Sequence, residues 1–250
     1  MEMKQDFRKE ITDFYNEQEE VWPDNDGWHE YSRQRIVTFV SEKVAGYHLS
    51  EGQRILNAGS GGVTYGITHE MYHLDVAENK IKQFPKYITG SVDKIPFEDN
   101  YFDVCICVGT VINYCDAKKA VRELYRVLKP GGRLILEFES SHSIEFLFQK
   151  GFGKKVGLVS SKYFGQKHTY FVYSWDYISG LLKGTHFKLK EMQRFHILSS
   201  FLYRLIPVEN IACKAAALDK KIEHTKLGKY SANIMLELVK PKRQEKRDNK

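Results

Sequence analysis

The sequence predicts an α/β protein built on a mainly parallel sheet with helices on both faces. Three observations carry this reading. From residue 54 onward, short apolar runs alternate with amphipathic segments, the pattern of repeated strand–helix units. Val104–Val108 (VCICV) is apolar throughout, as a strand covered on both faces must be. Another strand, Arg54–Ala58, runs directly into glycines at Gly59, Gly61 and Gly62.

The elements follow in order. Phe7, Ile11, Phe14 and Tyr15 form an apolar stripe that predicts a helix over the first twenty residues. Turn formers at 22–27 end it, and Asp26 is placed to cap a second helix from Trp28 to Ala45, with Ile36, Phe39, Val40 and Val44 inward and Gly46 as its stop. Arg54–Ala58, His73–Asp75, Tyr87–Thr89 and Val104–Val108 are strands; a helix begins over Asn79–Gln83 and Pro85 stops it. Ala117–Leu128 is an amphipathic helix with Ala120, Val121, Leu124 and Val127 on one face, ended by Lys129-Pro130-Gly131-Gly132. Arg133–Phe138 is the next strand. Residues 140–173 read as an insertion, followed by a helix at Ser174–Lys183 capped by Ser174, a strand at Phe187–Phe195, one or two helices across Leu198–Ile222 broken at Pro207, and a last strand at Ser231–Val239.

Composition bounds the function. Of 250 residues, 42% are hydrophobic and 28% charged, which excludes a disordered or collagen-like chain. No run is long and apolar enough for a membrane span, and the charged start MEMKQDFRKE lacks a secretory signal, so a cytoplasmic protein is expected. Four scattered cysteines make neither a disulfide framework nor a zinc knuckle, and the nine histidines lack ligand spacing, so no metal is expected. The net charge of +6 is mostly the tail Lys240–Lys250, which alone carries +4. The near-neutral remainder gives no reason to expect a nucleic-acid partner.

Two features point to a ligand. The strand-to-glycine turn Asn57-Ala58-Gly59-Ser60-Gly61-Gly62 lets the backbone approach a bound group without a Cβ in the way. Asp75 ends the next strand, sixteen residues after Gly59, where a carboxylate can accept both hydroxyls of a ribose.

A third feature gives these a family. Gly90-Ser91-Val92-Asp93-Lys94-Ile95-Pro96-Phe97, then Phe102-Asp103, then Arg126-Val127-Leu128-Lys129-Pro130-Gly131-Gly132 follow in order. Together with the glycine turn and Asp75, residues 50–140 resemble the class I S-adenosylmethionine-dependent methyltransferases, most closely the small-molecule, type 11-like branch. The resemblance implies a Rossmann-like seven-strand, mainly parallel sheet with an antiparallel last strand, an N-terminal helical cap at 1–48, a methyltransferase domain at 49–240 with a substrate-covering insertion at about 140–173, and a basic disordered tail at 241–250. It implies S-adenosylmethionine as cofactor and methyl transfer to an O or N atom of a small acceptor. By position, Asn57, Gly59, Ser60 and Gly61 would line the methionine part. Asp75 would hold the ribose, with Val76 beside the adenine, and Ser91, Val92 and Asp93 would surround the ring. Val108, Gly109 and Thr110 would floor the sulfonium, and Tyr31 and Arg33 would close over it. Tyr114 and His142 are the candidates facing the acceptor, with Asn113, His168 and His196 behind them. The aromatics Tyr163, Phe164, Tyr170, Phe171, Tyr173 and Trp175 either roof the acceptor pocket or form a satellite core.

The chain departs from the family pattern in three places. Asn57 stands where an acid is usual, Ser91 where an aspartate is frequent, and the span from Gly59 to Asp75 is shortened. The shortening leaves room only for a very short or irregular helix after the glycines. These departures keep a non-catalytic methyltransferase-like binding protein as an alternative, and a macromolecule-modifying methyltransferase is a further one. A nicotinamide dehydrogenase is disfavoured by the missing third glycine.

Overall fold

The computed structural model describes residues 5–19, 22 and 26–242. The side chain of Phe7, the turn at 23–25 and the tail beyond residue 242 lie outside the described residues. Helix α1 spans Gln5–Glu17 and α2 Gly27–Gly46. Asp26 caps α2 as expected, its side chain accepting from the Trp28 and His29 amides. Strands β1 (Ile55–Ala58), β2 (Met71–Asp75), β3 (Tyr87–Thr89) and β4 (Phe102–Cys107) follow, then α3 (Ala117–Val127) and β5 (Leu128–Glu139). The hairpin β6 (Val156–Tyr163) and β7 (Gln166–Tyr173) fills the insertion, and α4 (Trp175–Gly184), β8 (Lys188–Phe195), α5 (Leu198–Leu205) and β9 (Asn233–Val239) complete the chain.

Seven strands form one sheet in the order β3-β2-β1-β4-β5-β9-β8. The pairs from β3 to β5 are parallel, whereas β9 runs antiparallel to both β5 and β8. Side chains alternate across the sheet. Leu56, Leu74, Cys105, Leu134 and Leu236 pack with α3 and α4; Ile55, Val104, Ile106, Ile135 and Met235 pack with Ile36, Phe39, Val40 and Val44 of α2. Helix α2 is thus the covering layer of one sheet face rather than part of a separate cap.

Two local expectations are revised. Residues 79–83 make no α-helix: a single 3-10 turn at Glu78–Lys80 is all that precedes Pro85. The 140–173 insertion is ordered by the hairpin, which forms its own two-stranded sheet. The arginine of the Arg126-to-Gly132 segment has a structural task. Its guanidinium donates to the carbonyls of Phe97 (2.6 Å) and Ile95 (2.9 Å) and pairs with Glu123, fastening the 95–99 loop to α3.

The crossover from β1 to β2, residues 59–70, contains turns but no helix, so the glycine loop is held by side chains. Asn57, fully buried, donates its Nδ2 to the Val63 carbonyl (2.7 Å) and to Ser60 Oγ (3.2 Å). Ser60 Oγ also accepts from the Gly62 amide (3.2 Å) and lies 2.7 Å from His73 Nδ1. A hydroxyl has one proton. With two donors already pointing at the oxygen, that proton goes to His73 Nδ1, and the proton of the neutral ring sits on Nε2. His73 is stacked on Phe84 at 3.7 Å, and burial lowers its pKa to about 4.

Asn57 therefore replaces the usual acid because this loop needs a donor. We expect Asn57→Asp to lower unfolding stability at pH 7 by about 1–3 kcal/mol, the cost of a lost donor beside a buried carbonyl, with a smaller loss at low pH where the new carboxyl is neutral. Denaturant unfolding at pH 4 and pH 7 measures both.

Candidate functional site

Two adjoining cavities open at the carboxyl ends of β1, β2, β4 and β5, where an open parallel sheet presents its ligand site. The smaller, about 100 Å³, is lined by Gly59, Gly61, Asp75, Val76, Ser91 and Val92 among others. The larger, about 620 Å³, is lined by Gly59, Ser60, Val108, Gly109, Thr110 and Tyr114, and by side chains of α2 and the insertion. Gly59, Gly109, Tyr15 and Tyr114 border both, so the two spaces adjoin there.

The small cavity is shaped by a carboxylate on a backbone cradle. Asp75 Oδ2 accepts from the Gly61 amide (2.7 Å) and Oδ1 from the Ala77 amide (2.9 Å). Each oxygen has a second lone pair left. Burial raises the Asp75 pKa, and the Ala77, Gly61 and Val76 amides and Lys80 oppose that rise. Gly59 holds a φ of +73°, and a Cβ there would fall 2.2 Å from Val111 Cγ2, so no other residue fits. Helix α1 roofs this cavity with Ile11 and Tyr15. The Lys80 ammonium, itself buried, fastens that roof by donating to the carbonyls of Gln18 and, at 2.9 Å, Glu19.

In the large cavity, three carboxyl groups stand among tyrosine and serine hydroxyls. Glu139, at the end of β5, lies beside Glu145 and Glu209, with Lys167 the one lysine lining it among the described residues. Glu139 Oε2 is buried without a hydrogen-bond partner among the described residues. Burial, reinforced by repulsion from Glu145, holds the Glu139 pKa well above the carboxylate range; burial likewise pushes Glu145 up to about 7. Two residues earlier on the same strand face, Glu137 is fully buried but satisfied. It accepts from the Thr110 amide (2.6 Å) and Asn233 Nδ2 (2.8 Å), which fixes the left-handed turn at Thr110 (φ +60°) after β4.

Several expected site residues line neither cavity. Asn57 lies beneath the glycine loop, and Asp93 is buried away from the cavity wall. Tyr31 turns its hydroxyl to the Ala216 carbonyl (2.9 Å), and Arg33 pairs with Glu30 on the outer face of α2. The side of α2 that faces the cavity carries Trp28, His29, Ser32 and Ile36 instead. His142 is corrected too: its ring packs near Phe152, outside both cavities, because the chain turns at Ser141 and Ser143 as β5 ends. Asn113 is fully buried, with its amide nitrogen donating to the carbonyls of Phe171 and Glu139, and serves as a strut. His168 packs on Phe14, and His196 stacks on Trp28 at 3.9 Å and bonds Ser32 and Ser199.

Of the insertion aromatics, Tyr163 and Tyr170 line the cavity, Tyr170 also joins a small cluster with Phe146, Val159 and Val172, and Phe171, Tyr173 and Trp175 belong to the main core. Tyr114 stands between the cavities. Burial and its neighbours Tyr15 and Glu139 keep its hydroxyl protonated far above neutral pH, which makes it a donor rather than a base.

Comparison with known proteins fits this geometry. A family profile described as a methyltransferase domain, type 11, matches residues 50–136. Over that segment the chain is similar to class I S-adenosylmethionine-dependent methyltransferase domains. The ubiquinone/menaquinone biosynthesis C-methyltransferase UbiE of Vibrio parahaemolyticus is 34% identical over 108 residues, 35% of this chain and 42% of that protein. The chain thus spans less than half the length of that curated relative. A protein of Methanocaldococcus jannaschii is 28% identical over 148 residues, 54% of this chain and 64% of that one. Among solved structures, the 1,6-didemethyltoxoflavin-N1-methyltransferase of Burkholderia thailandensis superposes with a TM-score of 0.56 at 14% identity, covering 94% of this chain and 87% of that one. The [4+2]-cyclase SpnF gives 0.57 at 14% identity, covering 94% and 97%. At these identities the likeness is one of fold.

Sequence reasoning missed Glu139, Glu145, Tyr15 and the cavity face of α2. A signal for the first was present: Glu137 and Glu139 alternate within the apolar run that ends β5, at the site end of a central strand.

Burial of Glu145 gives the protein a pH signature. A carboxyl whose folded pKa is raised to about 7 from 4.5 keeps its proton longer in the folded state, so its contribution to stability falls as pH rises between those values. We expect Glu145→Gln to raise the melting temperature at pH 8, by about 2–4 °C for each kcal/mol relieved, and to change it little at pH 4. Thermal scans across that range check both.

Proposed function

We propose that the chain uses S-adenosylmethionine to methylate a small acceptor bound in the 620 Å³ cavity. The observation that carries this is the shared border of the two cavities at Gly59, Gly109, Tyr15 and Tyr114. A nucleoside bound by Asp75 would turn its far end toward the larger space. The residues suit the cofactor. Asp75 keeps free lone pairs for a ribose diol, Ser91 and Val92 border the position assigned to adenine, and Gly59, Gly61 and Gly109 present bare backbone. When bound, S-adenosylmethionine supplies an electrophilic methyl group on a sulfonium.

The rest belongs to the protein. Displacement at a methyl needs chiefly alignment of the acceptor, which the aromatic walls Trp28, Tyr163 and Tyr170 provide. An acceptor bearing a hydroxyl or ammonium must also lose a proton, and Glu139 is placed to take it. One of its carboxyl oxygens, Oε2, is buried without a hydrogen-bond partner among the described residues, and burial raises the affinity of the carboxyl for a proton. Loss of that proton enriches an O or N atom directly, and enriches a carbon conjugated to it. The carbon case brings in the reaction named for the UbiE relatives, which the initial expectation of an O or N acceptor did not include.

Calorimetric titration with S-adenosylmethionine and S-adenosylhomocysteine tests the cofactor. Micromolar binding is expected, weakened about ten- to a hundredfold in Asp75→Ala, as follows from losing a charged hydrogen-bond acceptor. A folded protein that binds neither would return the chain to the non-catalytic alternative. With cofactor binding in hand, a panel of phenols, quinols and amines is assayed for S-adenosylhomocysteine release. On any acceptor found, Glu139→Gln should lower kcat by about 10²–10⁴ and leave cofactor affinity unchanged. An unaltered kcat would remove Glu139 as the base.

A further inference from the structure

Nine of the thirteen large apolar side chains that stand exposed among the described residues fall within 147–148 and 201–227. Phe148 is 78% and Leu205 80% exposed, so most of each side chain faces solvent. Two contacts join parts of this set. Phe148 lies under the Arg204 guanidinium at 4.4 Å, and Phe201 of α5 meets the ring of Tyr230 at 6.2 Å. Between α5 and β9 the chain runs through short helical turns at 209–221, tied to α2 through Asn210 and the Ala216 carbonyl, and at 226–230.

The charges on this segment are sorted. Residues 198–230 carry six cations, Arg204, Lys214, Lys220, Lys221, Lys226 and Lys229, and all six are exposed. The three acids of the same segment turn inward. Asp219 is fully buried and accepts from the Ile197 and Leu198 amides (2.9 and 3.0 Å); Glu223 is buried and accepts from the Arg194 amide (2.9 Å); Glu209 lines the large cavity. The surface is therefore apolar side chains in a cationic surround, with no exposed acid of its own.

We propose that this surface docks the protein on a bilayer of anionic phospholipid, with Leu205 and Phe148 entering the interface and the lysines at the headgroups. Two observations select this occupant. A second copy of the chain in a two-fold contact would bring the same six cations together. The surface also adjoins the site: Tyr203 of α5 and Glu209 both line the large cavity.

The test is co-sedimentation of the full chain with vesicles of equal parts phosphatidylglycerol and phosphatidylcholine, against vesicles of phosphatidylcholine alone. Binding is expected only to the anionic vesicles and should weaken as salt is added. Leu205→Asp, Phe148→Asp and the double variant Lys220→Glu with Lys221→Glu should each weaken it about tenfold or more. These side chains are exposed, so unchanged circular dichroism and S-adenosylmethionine titration would show that the fold and the site are intact. Failure to sediment with anionic vesicles, equal sedimentation with neutral ones, or variants that bind like the parent would overturn the proposal. A concentration-dependent dimer in ultracentrifugation that Leu205→Asp abolishes would also overturn it and assign the surface to a second copy. None of these outcomes depends on whether methyl transfer is found.

Discussion

The hydroxyl of Ser60 is the point on which the site's geometry rests. A glycine loop that feeds a helix is held by that helix; here residues 59–70 contain none, and the loop would be free to open. Instead one oxygen gathers Asn57 Nδ2, the Gly62 amide and His73 Nδ1, while the Leu74 carbonyl accepts from both the Gly59 and Ser60 amides. The Gly61 amide is thereby aimed at Asp75. The carboxylate that shapes the small cavity is thus oriented by a loop that is itself oriented by side chains. A neutral His73 is a condition of this arrangement, since a protonated ring could not accept from Ser60. Its depressed pKa, about 4, guarantees that condition at any physiological pH.

The end of β5 shows the same economy with the opposite result. Glu137 and Glu139 share a strand face two residues apart; Glu137 is fully buried, and Glu139 buries its Oε2. Glu137 is fully engaged by Thr110 and Asn233 and acts as a strut for the turn that follows β4. Glu139 has an oxygen without a partner and carboxylate neighbours that resist its ionisation. A buried group left unsatisfied costs stability, and its position on the wall of the larger cavity places that cost where a ligand would relieve it.

Much of this was legible in the sequence. The strand–helix alternation, the Asp26 and Ser174 caps and the missing helix after the glycines follow from period, capping chemistry and chain length, all local properties. Asp75, Gly59 and Gly109 were named because strand ends in parallel sheets are where ligands go, and all three line the small cavity. The failures have a common cause. Tyr31 and Arg33 were chosen on a helix whose inward face is set by tertiary packing, and that face is Trp28, Ser32 and Ile36. His142 was placed by its distance from β5, but one turn of backbone directs its ring outward. Asn57 was read as a weakened cofactor contact because its Val63 partner is six residues away across a loop with no regular structure.

The acids of the large cavity also constrain what can enter it. Glu139, Glu145 and Glu209 share one enclosed space with Lys167 at its rim. Burial raises the pKa of all three, with repulsion from Glu145 adding to it at Glu139, from Glu209 at Glu145 and from Asp26 at Glu209. On the proposed reading, the poor solvation that raises these carboxyls also disfavours an acceptor that enters as an anion, since the same space would have to hold its charge.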